Sequence, residues 1–368
     1  MAVVTRYFSN SAAGAGDGTT WADRAALVSA GTVSTIITSF NFTSDSLLVY
    51  IEGGKSYTIT TGPTVTNTAN FPLMVHGCDS SGNPLDPPDP DWTSDQPEFD
   101  ASSFPELLAT TNIAIWPTTH TYFRCVKLTG SGNTTTSPFG VAQGAEWVAC
   151  ECSSAISNAS GAFAPAKAIN CWAKCTNATY STVSASNDIT NVRLVGNGSA
   201  SSGNRRGWTS ASAAIRLVRV TSINNVGGNF VSTSTSTGFT VVVGNCVGYG
   251  GGTGNLVLPG TASTTTHSLV SRSVLANNGA YGIDFGTNTT PTFVAGNALF
   301  DNTSGPFTNA GSLITTQNVT SGAVANEFVD AGNGDFRIKN TSSLWGKGYG
   351  VSDQPAAGGG GVIVVGDY

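Results

Sequence analysis

The feature that most constrains the fold of this chain is a repeat of apolar segments that begins near residue 120. The clearest centres are Ile169, Val192, Ile215, Val241, Leu269 and Val294, separated by 23, 23, 26, 28 and 25 residues. An interval of this length suits one coil of a solenoid. Because one coil cannot bury its apolar face alone, whereas stacked coils share a core, the repeat predicts a solenoid of short parallel strands.

Small and amide residues follow the centres and mark the corners of the predicted coils. Examples are Asn170, Asn245 and Gly296. Asn and Gly tolerate the left-handed backbone that a tight corner requires. Further strands are predicted earlier in the chain, at 47–51, 56–59 and 72–77. An α/β fold would need helical patterns between its strands, and the sequence lacks them.

The two ends of the stack need covers. A short amphipathic helix is predicted over 21–28, with Thr19 or Thr20 as its N-cap and Gly31 after its end. The other end is predicted to close near 328–344. The predicted organisation is an N-terminal strand and capping helix at 1–45, a β-helix at 46–345 with an acidic, Pro-rich insertion at 79–106, and a Gly-rich tail at 346–368.

Composition excludes several classes of protein. Charged residues make up only 10%, yet 17 Phe, 9 Tyr and 7 Trp favour an ordered chain over a disordered one. The net charge of −6 argues against nucleic acid as a partner. The chain has neither a secretion-signal pattern nor a long apolar run, so we expect a soluble, cytosolically made protein with no membrane partner. Its seven cysteines are interpreted as small buried residues rather than disulfides.

Both ends of the chain carry motifs that resemble those of a known group. The motifs are Tyr7-Phe8-Ser9-Asn10, Gly16-Asp17-Gly18-Thr19-Thr20-Trp21-Ala22, Phe328-Val329-Asp330, Gly334-Asp335-Phe336-Arg337-Ile338 and Gly346-Lys347-Gly348. They resemble the entry and exit motifs of pectin-lyase-like proteins, and the coils between them are similar too, except for the acidic insertion. The resemblance implies an all-β, single right-handed parallel β-helix. This fold carries polysaccharide lyases and hydrolases, phage tailspikes and catalytically inert virion proteins, so function must come from sites.

The regular coils are poor in the carboxylates that sugar chemistry requires. A glycoside hydrolase needs two converging carboxylates, but Asp188 is the one acidic residue between Glu151 and Asp284. A lyase of the pectate type is expected to need calcium-binding aspartates and a basic residue. The basic group Arg205, Arg206, Arg216 and Arg219 has no acidic companions nearby in sequence. We therefore predict no catalytic residues and no cofactor.

Two patterns suggest metal sites, and each has a simpler interpretation. The insertion residues Asp86, Asp89, Asp91 and Asp95 are of the type that binds calcium. They lack the glycine and terminal glutamate of the helix-loop-helix calcium motif, so a solvated or partner-contacting loop is favoured. Cys125, Cys150, Cys152, Cys171 and Cys175 lack zinc-type spacing and lie far in sequence from His76, His120 and His267. Stacked core thiols are favoured for the cysteines.

Aromatic residues could form a platform for a sugar. Trp147 and Trp172 lie in apolar strands and are interpreted as structural, whereas Trp208, which follows Arg205-Arg206-Gly207, remains open.

A rigid, nearly uncharged, hydroxyl-rich solenoid fits a virion component better than a secreted enzyme. The leading hypothesis is a non-enzymatic structural protein of a tailed bacteriophage, a capsid decoration or cement protein. It would be a homotrimer on the capsid surface, assembled in the host cytoplasm and bound to the major capsid protein or another virion protein. The alternative is a tailspike or tail-fibre protein that recognises host glycan, although the coils begin too early for the usual head-binding domain. A polysaccharide lyase or hydrolase ranks third.

The candidate interface combines the acidic insertion with the tail. Its residues are Asp86, Asp89, Asp91, Val362, Ile363, Val364 and Val365. The prolines at 84–90 are poor ladder donors, so the insertion is expected to leave the stack. The four apolar tail residues would be costly to expose and could pair with a partner's sheet edge.

Overall fold

A computed structural model describes residues 2–29, 32–33, 35–60, 65–87, 101–110, 120–130, 142–154, 165–175, 183–184, 188–196, 208–210, 214–225, 227–232, 240–252, 254–257, 267–285, 292–308 and 313–350. Its strands are β1 Val3–Ser9, β2 Ala25–Ala26, β3 Val28–Ser29, β4 Thr32–Val33, β5 Ser46–Glu52, β6 Ser56–Ile59, β7 Leu73–Cys78, β8 Glu106–Ala109, β9 Thr121–Arg124, β10 Lys127–Gly130, β11 Ala142–Val148, β12 Glu151–Ser154, β13 Pro165–Cys175, β14 Val183–Ser184, β15 Asp188–Val195, β16 Trp208–Ser210, β17 Ala214–Ile223, β18 Phe230–Ser232, β19 Thr240–Gly244, β20 Val247–Tyr249, β21 Gly254–Val257, β22 His267–Ser271, β23 Val274–Ala276, β24 Tyr281–Asp284, β25 Thr292–Ala295, β26 Gly305–Thr308, β27 Leu313–Thr316, β28 Phe328–Asp330 and β29 Asp335–Ile338. The helices are α1 Thr35–Thr38, α2 Val324–Glu327 and the 3-10 turn Ala331–Asn333.

The strands form a right-handed parallel β-helix, as predicted. The first sheet runs through β1, β5, β7, β9, β11, β13, β15, β17, β19, β22, β25 and β27, and the second runs through β6, β8, β10, β12, the later halves of β13, β15 and β17, and then β20 and β23. The third sheet consists of β14, β16, β18, β21, β24 and β26. Every pairing within these sheets is parallel, and right-handed crossovers are the rule for parallel strands. The short pairs β3–β4 and β28–β29 are antiparallel and lie outside the coils.

From β9 onward, one residue per coil turns the chain sharply from the first sheet into the second. These residues are Cys125, Ala149, Asn170, Asn191, Arg219, Asn245, Arg272, Gly296 and Gln317, with φ between 51° and 61°. They recur every 21 to 28 residues, so the corner sets the length of the repeat. The left-handed conformation predicted for Asn170, Asn245 and Gly296 is confirmed. The Asn191 amide also donates a hydrogen bond of 3.1 Å to the Asn170 side chain, which links two corners.

A column of inward-facing side chains along the first sheet forms the core. Its members are Val49, Val75, Phe123, Trp147, Ala168, Ile189, Leu217, Val243, Val270 and Val294. The predicted core positions Val192, Ile215, Val241 and Val294 are confirmed. Ile169 was wrong as a core residue because Ala168, one position away, faces inward instead, and at the segment centre Leu269 it is the adjacent Val270 that faces inward. A shift of one residue moves a strand side chain to the opposite face.

The helix predicted over 21–28 was also wrong. Ala25–Ala26 is a strand that pairs with β1, and residues 21–23 form a turn. The Asp23 carboxylate closes this turn, because it accepts hydrogen bonds of 2.9 Å from the Ala15 amide and the Thr20 hydroxyl. Thr20 and Asp23 thus stabilise a loop rather than start a helix. The helical turn near this end is α1, whose Ile37 is buried in the core.

The C-terminal part of the stack carries a strap, residues 324–350, on its side. Phe328 and Phe336 of the strap pack with Phe300 and Tyr249 against the outer face of the second sheet. Beneath the strap, the buried Arg193 guanidinium donates a hydrogen bond of 3.4 Å to the Gly334 carbonyl. Residues 328–344 therefore cover a side of the stack, and the prediction that they close its end was wrong.

The described parts of the acidic insertion pack against the stack. The Asp79 carboxylate accepts hydrogen bonds from the Ser81 and Asn83 amides at 2.8 and 2.9 Å, which tightens the first turn. Leu85 and Phe104 then contact the corner at Cys125. Glu106 already belongs to β8, which is a coil strand paired with β6 and β10. Residues 88–100 lie outside the described part of the chain.

Candidate functional site

The outward side of the first sheet carries apolar, aromatic and charged side chains. One column of this surface, called here the outer column, comprises Leu48, Met74, Tyr122, Lys167, Asp188, Arg216, Val242, Leu269, Phe293 and Ile314. Its members alternate with the inward-facing core residues on the same strands, so the coil stack fixes their positions. The column divides into an N-terminal groove, a charged centre and a C-terminal apolar stripe.

The groove has a volume of about 330 Å³ and mainly apolar walls. Its lining includes Leu48, Met74, His76, Tyr122 and Arg124. Burial lowers the pKa of His76, although the Leu85 carbonyl, 2.9 Å from Nε2, opposes this shift. The His76 ring ends a row of stacked rings along the sheet, 5.6 Å from Tyr50, which is in turn 5.3 Å from Tyr7. A neutral aromatic row beside an exposed arginine can bind a flat ligand with an anionic group.

The charged centre is an ion pair between successive coils. Arg216 Nη1 lies 2.9 Å from Asp188 Oδ1 and donates a further hydrogen bond of 3.2 Å to Thr190 Oγ1. The absence of acidic residues near Arg216 in sequence gave no sign of this pair, because a residue far back in the chain becomes a neighbour on the preceding coil. The two side chains form an ion pair, and this argues against Arg216 as a catalytic base.

The apolar stripe consists of Val242, Leu269, Phe293 and Ile314 on four successive coils. The last three are 42%, 49% and 46% exposed. Sequence analysis missed this stripe, although Leu269 was identified as the centre of an apolar segment. The available signal was that Leu269-Val270 and Phe293-Val294 place apolar residues on both faces of a strand, where a half-buried strand would alternate.

Carboxylates in the described residues are largely engaged in local structure. The pairs are Asp17 with Thr19, Asp23 with Thr20, Asp45 with Ser44, Glu52 with Ser9 and Lys55, Asp79 with Asn83, Glu106 with Thr129, Glu151 with Lys127, Asp188 with Arg216, Asp301 with the Val324 amide, Glu327 with Ser342, Asp330 with Asn333, and Asp335 with Arg337. Hydrogen bonds hold the pKa values of Asp17, Asp45 and Asp79 below their usual range. Asp188 and Asp284 lie on the first and third sheets, so the two do not form an acid–base pair.

Most of the predicted interface lies outside the described residues. Asp86 is exposed in the insertion, and its negative charge acts on the nearby His76 and Cys125. Asp89, Asp91, Asp95, Val362, Ile363, Val364 and Val365 fall in the undescribed ranges, as do Arg205 and Arg206. The interface that these residues would form therefore stays a prediction.

The cysteines have the environment predicted for core residues. Cys78, Cys125, Cys150, Cys171 and Cys246 are buried thiols. Burial raises the pKa of the Cys78 and Cys246 thiols to about 12 and that of Cys125 to about 11, which makes them poor nucleophiles. Nothing is described for the side chains of Cys152 and Cys175. No group of three His, Cys, Asp or Glu side chains in the described ranges is placed to hold a metal ion.

Two of the tryptophans considered in the sequence have described side chains, and the third does not. Trp147 lies in the main core and Trp172 lies under the strap, so their structural interpretation is confirmed. The backbone of Trp208 pairs with Phe230, whose side chain is buried, in the third sheet. The Trp208 side chain is outside the described set, and its role as a sugar platform stays a prediction.

In the described part of the chain, no helix has the length and apolar character needed to cross a membrane.

Comparison with known proteins supplies a fold likeness only. No protein-family model matches this chain, and no curated protein matches it. Among solved structures it resembles the crystal structure of pectate lyase Pel9A, with 13% sequence identity and a TM-score of 0.46, over 94% of this chain and 91% of that chain. A likeness at this level carries no argument about activity.

Proposed function

We propose that this chain is a non-enzymatic structural protein of a tailed-phage virion, a homotrimeric decoration or cement protein on the capsid surface. The observation that carries the non-enzymatic part is the engagement of nearly all described carboxylates by local partners. Hydrolysis of a glycosidic bond needs two carboxyl groups about 5 to 9.5 Å apart around a sugar, one of them with a raised pKa. Here the central acid, Asp188, is neutralised by Arg216 at 2.9 Å.

The architecture supports a mechanical role. Parallel coils share one core along the stack, and the strap adds a second apolar cluster on its side. Such a solenoid is stiff along its axis and presents the same backbone to neighbours at every coil. The exposed Asp86 and the predicted tail segment 362–365 supply contacts to the major capsid protein or another virion protein.

The second candidate is a tail protein that binds host glycan. The groove favours it, because Tyr50, His76 and Tyr122 present ring surface beside the exposed Arg124. Sugars stack on aromatic faces, and a guanidinium binds an acidic substituent. In this candidate, Tyr122→Ala and Arg124→Ala remove glycan binding, whereas Asp188→Asn does not.

Labelling of intact particles with an antibody to this protein separates the candidates. We expect labelling over the whole capsid and rebinding of purified protein to particles stripped of it. Labelling confined to the tail would replace the decoration role with the glycan-binding one, and unlabelled particles would remove the virion assignment. The purified protein should release neither reducing ends nor unsaturated products from bacterial capsule or lipopolysaccharide. Turnover that is lost in Asp188→Asn or Asp284→Asn would show an enzyme instead.

A further inference from the structure

The apolar stripe is too small to hold a second copy of this protein by itself. It presents four side chains, Val242, Leu269, Phe293 and Ile314, in a single column. A specific protein–protein interface uses roughly 20 to 30 residues on each side. Yet three of the four are more than 40% exposed, and contiguous exposed apolar side chains on a soluble protein usually mark a contact. The size of the stripe therefore fits a short peptide segment.

The end of the strap lies close to the stripe. The Gly350 amide donates a hydrogen bond of 2.8 Å to the carbonyl of Arg272, the corner residue that follows β22. Leu269 is three positions before Arg272, which corresponds to about 10 Å along a strand. The strap thus delivers the chain to the edge of the sheet that carries the stripe.

The sequence beyond Gly350 contains a segment of matching size and chemistry. Residues 351–368 are outside the described chain, and among them Val362, Ile363, Val364 and Val365 form an uninterrupted apolar run. Residues 351–361 between Gly350 and this run can span at most about 36 to 40 Å. The four stripe residues, on coils about 4.8 Å apart, extend over about 14 Å. The run can therefore reach every position of the stripe.

We propose that the stripe is the docking site for residues 362–365 of the same chain. Because the run is tethered near the stripe, its effective concentration there is in the millimolar range, which favours it over the tail of another molecule. Docking removes apolar surface from water on both sides, and this is its driving force. The strands β19, β22 and β25, which carry Val242, Leu269 and Phe293, are paired on both edges, so on these strands the run packs on the face of the sheet and adds no strand to it.

This inference goes beyond the proposed function, in which the same run contacts a virion partner. In the free protein the run is held on its own stripe, and binding to the particle has to displace it. The two proposals fail separately, since docking is measured on the free protein and attachment is measured on particles.

Photo-cross-linking of the full-length protein tests the docking. Leu269→benzoylphenylalanine places a reactive group on the stripe, and Thr58→benzoylphenylalanine places it at an exposed position on the second sheet, in an early coil. We expect the first variant, and not the second, to cross-link to peptides from 357–368. In a mixture of heavy- and light-isotope chains, the linked peptides should come from one chain. Links between heavy and light chains would overturn the proposal in favour of a second copy, and absence of a link to 357–368 would overturn it altogether.

Substitutions in the tail supply a second measurement that leaves the folded coils unchanged. Ile363→Asp should lower the cross-link yield from position 269 about tenfold, because a carboxylate is costly to place on an apolar surface. Gly359→Asp adds the same charge outside the run and should leave the yield unchanged. In the unlabelled protein, Ile363→Asp alone should increase the fluorescence of anilinonaphthalene sulfonate. Equal yields for both variants, or an equal loss in both, would show that the apolar run is not the docked segment.

Discussion

The outer faces of the first and second sheets belong to the same coils but have opposite character. On the second sheet, Trp172, Val195, Ile223, Val247 and Val274 point outward and are covered by the strap. On the same coils, the first sheet presents Lys167, Asp188, Arg216, Val242 and Leu269, and no described segment covers them. The backbone geometry of the two faces is alike. They differ in that the strap covers only the second sheet. Burial under the strap explains the outward apolar residues of the second sheet, and those of the first sheet need a different explanation.

The largest expected effect comes from the core that both sheets share. Ile215→Asp would bury an unpaired carboxylate at a position that is 3% exposed, at a cost of several kcal/mol. We expect an insoluble or unfolded protein in circular dichroism and sizing. Ala214→Asp, which adds the same charge at the exposed neighbouring position, is the control and should remain folded. A folded, soluble Ile215→Asp variant would contradict the assignment of Ile215 to the core.

Phe336→Ala tests the cover of the second sheet. Phe336 is buried between Tyr249 and Phe328, and truncation of such a ring costs about 3 to 5 kcal/mol. We expect the strap to become sensitive to proteolysis while the strand signal in circular dichroism persists, since the main core is separate. Val329→Ala, at an exposed position of the same strap, is the matched control. Loss of the whole fold in Phe336→Ala would show that the two apolar clusters unfold together.

The repeat predicted the coils but not which side of each strand faces inward. Ile215 and Val241 were correctly predicted to face the core. At Leu269-Val270 two adjacent apolar residues fit the pattern equally well, and Leu269, the centre of the segment, is the exposed one. At Ile169 the larger of two adjacent apolar side chains was predicted to face the core. In the structure the smaller Ala168 occupies the core position.

Long-range contacts explain the remaining differences. The strap was recognised as a cover, but its placement on a side of the stack depends on the apolar outer face of the second sheet, which appears only after folding. The Asp188–Arg216 pair joins residues on different coils, and the apolar stripe joins four. Register across coils cannot be read from a sequence whose repeat length varies from 21 to 28 residues.

The next largest effect on stability is expected from Glu52, which lies at the end of β5 in an early coil. It is buried, and although burial opposes ionisation, hydrogen bonds from Lys55 and Ser9 hold the pKa of Glu52 below its usual value. Ionised Glu52 therefore adds to the free energy of unfolding at a pH above its pKa in the unfolded chain. This contribution is lost as the pH falls through its pKa in the folded protein. Glu52→Gln should cost about 1 kcal/mol at neutral pH, the difference between a charged and a neutral hydrogen bond.

Denaturant unfolding from neutral to acidic pH measures this contribution. The difference in unfolding free energy between the wild type and Glu52→Gln should shrink as the pH falls, because protonation of Glu52 removes the same charge. Ser56→Ala, at an exposed position without a titratable group on the neighbouring strand β6, is the control, and its difference from the wild type should not change with pH. A difference that does not change with pH would mean that Glu52 is not the titrating group.

A smaller effect is expected from the charged centre of the uncovered face. Asp188 and Arg216 are partly exposed, so their coupling in a double-mutant cycle with Asp188→Asn and Arg216→Gln should be about 0.2 to 1 kcal/mol. Screening should reduce it further at high salt. A coupling above about 2 kcal/mol that resists salt would be typical of a desolvated pair, and it would mean that this face is covered in the folded protein.

Phe293→Ala is expected to have the smallest effect on stability and gives the most direct comparison with Phe336→Ala. Both substitutions remove the same ring, but Phe293 is 49% exposed on the uncovered face and Phe336 is 3% exposed under the strap. With little packing to lose, the free energy of unfolding should change by no more than about 0.5 kcal/mol, as for surface positions in general. Both substitutions are made in the Ile363→Asp background, so that docking of the tail contributes to neither value. Urea unfolding of the two variants side by side measures the contrast. Equal costs would mean that the outer face of the first sheet is packed as firmly as that of the second, and the distinction between a covered and an uncovered face would then fail.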